Sequence, residues 1–307
     1  MKKHWSKVIA LTAAALLALS GCASGSDSAE STESTQTTQT TESTETTEES
    51  TAETTEAKEL KVGVCAGPYG DMFTDAITPS LEEKGYTVEI IEFTDYVQPD
   101  QALASGDIDA NLMQHTAYLT QFAADNNLDI SAVINVPTAG AGVFSNSITS
   151  LDELQDGDTV AIPIDAVNLA RSLRFLRDLG VITLNGEIDE TKASVADIAD
   201  NPKNLEFVTM DAAQISRSLD SVAIGVIPGN YAIAAELDFA DALGVEKLGE
   251  DFKNVIAVRT EDVDTLGAEL KEIVESQAFY DVIMADGSLY AGFDKPEWWV
   301  EKYGADE

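Results

Sequence analysis

From residue 60 onward, short apolar runs take turns with segments whose apolar positions recur every three or four residues. Leu60–Cys65 reads as a strand, Gly67-Pro68-Tyr69-Gly70 as a turn, and Asp71–Lys84 as a helix with Met72, Phe73, Ile77 and Leu81 on one stripe. Tyr86–Phe93 is a second strand, Gln98–Ser105 a short helix, Asp107–Ala110 a short strand, Gln114–Ala124 a helix and Ile130–Val136 a strand. The rhythm then repeats: strand Ala141–Ser145, a turn capped by Ser150, strand Thr159–Pro163, helix Val167–Leu179 ending at Gly180, strand Leu205–Val208, helix Asp211–Leu219 and strand Val222–Ile227. A strand at Asn254–Arg259, a helix at Val263–Gln277 and a tail with Trp298 and Trp299 close the chain, and the tail is expected to pack back on the first unit. Strands separated by helices predict an α/β protein whose sheets are covered on both faces, in two lobes with a ligand cleft between them.

The first 58 residues follow neither rhythm. Lys2, Lys3 and Lys7 precede an apolar run, Val8–Leu19, too short for a membrane-spanning helix, and Leu19-Ser20-Gly21-Cys22 follows. This resembles a bacterial lipobox, so residues 1–21 are expected to be a lipoprotein signal peptide and Cys22 the lipidated residue. Acyl chains on Cys22 would hold the protein to a cell membrane, at about 0.8 kcal/mol for each buried methylene. Residues 23–57 are almost wholly Ser, Thr, Glu, Gln and Ala, with no Val, Ile, Leu or aromatic residue. Such a stretch cannot bury enough surface to offset its ordering entropy, so residues 22–58 read as a lipidated, disordered linker with a reach of roughly 35 Å.

Charge narrows the partners. The chain carries 18 basic and 55 acidic residues, a net charge of −37, which repels phosphate backbones and argues against nucleic acid. Two cysteines and two histidines occur, and of these only Cys65 and His115 lie beyond the leader, leaving little for a metal cluster or a Cys/His pair. Asp107-x-Asp109-x-Asn111 opens like a calcium loop, but Leu112 stands where glycine is needed and Tyr118 where the closing glutamate is needed. Gly67–Gly70 lacks the Lys-Ser/Thr of a phosphate loop, and neither a Gly-x-Ser-x-Gly elbow nor His-Glu-x-x-His occurs. Nothing calls for a cofactor or a metal, and an enzyme is disfavoured.

Several stretches, taken in order, resemble the methionine-binding lipoprotein (MetQ/NlpA) family. They are Phe93-Thr94-Asp95-Tyr96, Gly106–Asn111 with Gln114-His115, Ser150–Gly157, Pro163–Asp165 with Asn168 and Arg171, Asn201–Leu205, and Arg217–Asp220. The resemblance covers about residues 60 to 300 and implies a bilobal, type II periplasmic-binding-protein-like fold. Residues 59–138 with 255–307 would form the first lobe and 139–254 the second. It implies a lipid-anchored receptor on the extracytoplasmic face that binds methionine, or a related amino acid or short peptide, and delivers it to an ABC permease with its ATPase. The other reading is a surface interaction lipoprotein that kept this scaffold without transport.

The ligand chemistry suits the residues that match. A zwitterion entering a cleft needs both charges paired. Arg171, three residues after Asn168 on one helix, offers a fork for the carboxylate, and the family pattern puts both in the site. Tyr69, Phe93, Tyr96 and Tyr118 would supply aromatic walls for a thioether, with His115 one helical step before Tyr118. Without the resemblance, Arg171 reads as a surface arginine like Arg174 and Arg177, His115 as a structural histidine and Tyr118 as core. The chain departs from the pattern at Ile227-Pro228-Gly229-Asn230-Tyr231, where the family has Ile-Asn-x-x-Tyr; either Asn230 substitutes from two residues on, or the ligand's polar end differs, as in a dipeptide or another amino acid. Ile164 replaces another usual Asn, and Leu112-Met113 a more aromatic pair.

Overall fold

A computed structural model describes residues 58–186 and 192–304; the leader, Cys22 and the linker up to residue 57 lie outside the described residues. The first half runs β1 (Lys58–Cys65), α1 (Tyr69–Ala76), α2 (Thr78–Glu83), β2 (Tyr86–Phe93), α3 (Val97–Ser105), β3 (Ala110–His115), α4 (Thr116–Asn126) and β4 (Ile130–Asn135). The chain then builds β5 (Gly142–Phe144), β6 (Thr159–Pro163), α5 (Ala166–Asp178), β7 (Thr183–Leu184), β8 (Ile198–Asp200), β9 (Glu206–Met210), α6 (Ala212–Ser218), β10 (Ile224–Ile227), α7 (Gly229–Ala234) and β11 (Gly244–Val245). It returns as β12 (Asn254–Arg259), followed by α8 (Ala268–Val274), α9 (Gln277–Ile283) and α10 (Glu297–Tyr303).

Two five-stranded sheets result. The first has the order β2-β1-β3-β12-β4, with β1 parallel to β2 and β3, and β12 antiparallel to β3 and β4. The second has the order β11-β5-β10-β6-β9, with β6 parallel to β9 and β10, and β5 antiparallel to β10 and β11. Because β12 pairs in the first sheet, the chain passes between the sheets twice, after β4 and after β11. At the first passage Thr138 Oγ1 accepts from Asn254 N at 2.8 Å, and the Thr138 and Asp294 backbones bridge, so both connections are pinned to one another.

Each sheet has its own core. Val62, Phe73, Leu112, Ile256 and Trp299 are fully buried on the first, Val143, Ile162, Leu173 and Ile224 on the second. The closing tail packs on the first sheet's core, where Trp299 stacks on Tyr280 at 5.0 Å and meets Tyr303 edge-on at 5.0 Å.

Several elements differ from their predicted form. The predicted turn at Gly67–Gly70 is already helix from Tyr69, and β1 starts at Lys58. The single helix over 71–84 breaks at Ile77 into α1 and α2, because Pro79 has no N–H to give to the preceding turn; Met72, Phe73, Ile77 and Leu81 remain buried together. The strand expected at 107–110 and the helix expected from Gln114 give way to β3 over Ala110–His115. All six of its residues are buried, including Asn111, Gln114 and His115, so no polar–apolar alternation marks it as a strand. The helix expected over 263–277 opens with a π-turn at Val263–Gly267 and stops before Ser276, whose Oγ caps α9 by accepting from Phe279 N at 3.1 Å.

Trp299→Ala should lower unfolding free energy by about 3–5 kcal/mol, read as a drop in melting temperature. Trp299→Phe should cost much less, since the buried indole N–H has no hydrogen-bond partner among the described residues.

Candidate functional site

The carboxyl ends of the parallel strands face one another across the gap between the sheets, where α/β proteins gather ligands. Each delivers one or two side chains. Beyond β1, Tyr69 opens α1; beyond β2, Tyr96 stands at the start of α3; β3 ends on His115, which caps α4; beyond β6, Asp165 caps α5; beyond β10, Pro228, Gly229 and Asn230 begin α7. All of these except Asp165, which lines the neighbouring outer opening, border one narrow cavity, which Met113, Gln114, Tyr118, Thr138, Ala139, Asn168, Arg171 and Asn254 complete.

Seven of the expected side chains meet here: Tyr69, Tyr96, His115, Tyr118, Asn168, Arg171 and Asn230. Phe93 does not. It lies on the α3 side of the first sheet beside Leu103 and Ile108, covering Gly63, and borders a wider opening of the cleft with Glu92 and Thr94. Of the departures from the family pattern, Pro228 and Met113 line the cavity and Leu112 is core, whereas Ile164 is 57 % exposed on the outer rim, where its exchange does not alter the inner walls.

Polar contacts cross the cavity between the halves. Tyr96 Oη donates to Asn230 Oδ1 at 2.7 Å, and Asn230 Nδ2 donates to Ala66 O at 3.0 Å. His115 Nδ1 accepts from Tyr118 N at 3.1 Å, which puts the ring proton on Nε2 and lets it donate to Asn168 Oδ1 at 3.0 Å. Asn168 Nδ2 donates in turn to Asp165 at 3.1 and 3.2 Å. Close approach at this seam needs Gly67: its φ is +127°, and a Cβ there would lie 2.6 Å from Asn230 O. Aromatic rings back the polar contacts, with Tyr96 5.2 Å from Tyr231 and 5.7 Å from Tyr118, and His115 5.1 Å from Phe252.

Arg171 already holds a carboxylate from its own chain. Glu246, just past β11, takes Nε at 3.0 and 2.9 Å and Nη2 at 2.6 Å, and both side chains are buried. Burial alone would weaken the guanidinium's hold on its proton, but Glu246 outweighs it, so Arg171 stays charged. Glu246 Oε2 also accepts from Ala141 N at 3.1 Å, and the Phe252 ring lies 5.4 Å from the guanidinium carbon. Glu246 therefore occupies Nε and Nη2, while Nη1 has no hydrogen-bond partner among the described residues. Sequence reasoning missed Glu246, one acid among many, because its position is set by an edge strand of two residues.

Asp100 and Gln114 were missed as well. Asp100 in α3 is fully buried and accepts from Asn111 Nδ2 at 2.9 Å and from Gln114 Nε2, while Gln114 reaches the cavity wall. An acid three residues before the buried Leu103 on a helix was the available sign. Cys65, 2 % exposed with its thiol pushed up by burial, is the inert core cysteine its strand-end position suggested.

A gap between two α/β halves, lined by strand-end residues with one buried guanidinium, defines a bilobal solute-binding protein. The chain belongs to the NlpA lipoprotein family, whose model matches residues 60–298. It is 38 % identical to the D-methionine-binding lipoprotein MetQ of Escherichia coli K12 over 76 % of this chain and 86 % of that protein. A nutrient-binding protein from Burkholderia cenocepacia, solved bound to methionine, superposes with a TM-score of 0.70 at 37 % identity, covering 76 % of this chain and 97 % of that one. A putative methionine-binding lipoprotein of Bacillus subtilis gives a TM-score of 0.71 at 31 % identity, covering 76 % and 96 %.

Two buried groups make opposing proton linkages. Burial pushes the Asp100 carboxyl up from 3.8 to about 7, so folding takes up a proton in that interval and stability falls as pH rises through it. Burial, with Arg171 nearby, pushes His115 down from 6.5 to about 3, so folding releases a proton there and stability rises with pH. The two slopes oppose one another where the intervals overlap. Relative to the wild type, Asp100→Asn should therefore melt progressively earlier as pH is lowered from 6.5 to 4, and His115→Gln progressively earlier as pH is raised over that range. Each slope should approach about 1.4 kcal/mol per pH unit, and calorimetric melts at a series of pH values would measure it.

Proposed function

We propose that this chain is the lipid-anchored, extracytoplasmic receptor of an ABC importer, binding methionine or a closely related amino acid or short peptide in the interlobe cavity and delivering it to the permease. The observation that carries the reading is Arg171. It is a buried guanidinium at the cavity wall, held by Glu246 through Nε and Nη2, with Nη1 unengaged among the described residues, and a ligand carboxylate would take that donor. Tyr69, Tyr96, Tyr118 and Met113 offer the polarizable, largely apolar surface that a thioether favours. Burial pushes Tyr69 Oη up to about 12 and Tyr96 Oη well above its ordinary value, so both stay protonated donors.

The names of the relatives support the same ligand class and the anchoring, and Cys22 would bear the lipid. Among the described residues no helix is long and apolar enough to cross a membrane, which fits attachment through acyl chains rather than through the folded part. The division into a first lobe of residues 59–138 with 255–307 and a second of 139–254 belongs to this reading, and the membership of β12 in the first sheet favours it.

The test is ligand-dependent melting of protein that has been unfolded and refolded to strip any bound ligand. Methionine in L or D form, or a methionyl dipeptide, at a hundred times its dissociation constant should raise the melting temperature by roughly 5–10 °C. Arg171→Ala should abolish that shift and also lower the unliganded stability by about 3–5 kcal/mol, since Glu246 is left buried without its partner. Absence of a shift with every such ligand in correctly refolded wild type would reject the reading.

A further inference from the structure

Resting on the amino-acid reading, the cavity must also receive an ammonium group, and the position where the family pattern has an asparagine carries Pro228, which has no side-chain acceptor. Most of the side-chain oxygens nearby are already engaged. Asn230 Oδ1 accepts from Tyr96 Oη, Asn168 Oδ1 from His115 Nε2, and Thr138 Oγ1 from Asn254 N. Gln114 differs: it lies on the cavity wall, is 3 % exposed, and its Oε1 is buried without any hydrogen-bond partner among the described residues.

The orientation of that amide is fixed from behind. Its Nε2 donates to Asp100 Oδ1 and, at 3.4 Å, to Asn111 Oδ1, while Asn111 Nδ2 donates to the same Asp100 oxygen at 2.9 Å. Turning the amide over would set Oε1 against two oxygen acceptors, so the carbonyl end is directed away from Asp100. A buried carbonyl kept in place and left without a donor is what a site for a cationic donor looks like before its ligand arrives. Oε1 itself cannot titrate.

We propose that Gln114 Oε1 accepts a hydrogen bond from the α-ammonium group of the bound amino acid, and that Asp100 is the positioning residue that aims it. The site thus selects ligands with a free, charged α-amine, and Gln114 supplies the acceptor that Pro228 does not.

Titration calorimetry on the full chain compares L-methionine, or whichever amino acid the melting screen identifies, with its desamino analogue, which keeps the carboxylate and side chain. The wild type should prefer the amino acid. Gln114→Met should weaken it about 10- to 100-fold while leaving the desamino analogue nearly unchanged, so that discrimination collapses. Asp100→Asn should lower the same ratio by a smaller factor. Equal losses for both ligands would mean a structural role, and an unchanged ratio would mean no contact; either overturns the proposal while leaving the amino-acid reading intact. A wild type that binds no amino acid overturns both. Should Gln114→Met fail to fold, a crystal structure of the liganded wild type decides: the ammonium nitrogen within about 3.2 Å of Gln114 Oε1 supports the assignment, and a separation beyond hydrogen-bonding range overturns it.

Discussion

The site is organised around a charge that cannot be left alone in the interior. Arg171 sits on α5, buried, and is tolerable there because Glu246 reaches it from the segment that leads back toward the first sheet. That one ion pair ties the main helix of the second half to the second passage of the chain between the sheets, and Ala141 N ties the same carboxylate to the first passage. The pair therefore does structural work before any ligand is present. Under the proposed function it also sets the chemistry a ligand would meet, a guanidinium already half neutralised rather than a bare positive charge.

The remaining polar groups are short side chains at strand ends and helix starts, and they are placed by backbone geometry rather than by reach. His115 caps α4, Asp165 caps α5 and Asn230 lies in the first turn of α7, so the ends of three helices hold the groups that span the gap. Because the sheets beneath are covered on both faces, substitutions at these ends can alter what is bound while the cores around Trp299 and Ile162 stay as they are. Pro228 is an instance: it replaces an amide at the cavity wall without disturbing β10, whose four residues are all buried.

Strands and helices built on uniform apolar patterns were legible in the sequence. Tyr86–Phe93, Thr159–Pro163 and Asn254–Arg259 have the bounds their apolar runs predict. What escaped was set by tertiary placement. The polar residues of β3 are buried because they bond to Asp100 and Asn168, partners in other elements that local pattern cannot reveal. Most of the site residues were readable only through the family resemblance, since tyrosines and a helical arginine have ordinary structural uses. Phe93 was misplaced because a strand-end aromatic has two faces to choose between, and Gly63 leaves room for it on the α3 side. Glu246 and Asp100 gave little warning in a chain so rich in acids.

The described hydrogen bonds that cross the cavity join only uncharged groups: a tyrosine hydroxyl to an amide, an amide to a backbone carbonyl, a neutral imidazole to an amide. Each such bond is worth about 0.5–1.5 kcal/mol net, and none is weakened by counterions as an exposed ion pair would be. Despite the chain's large negative charge, these three bonds across the cavity are therefore insensitive to ionic strength, even though carboxylates such as Asp294 and Glu250 fasten the tail to the second half elsewhere.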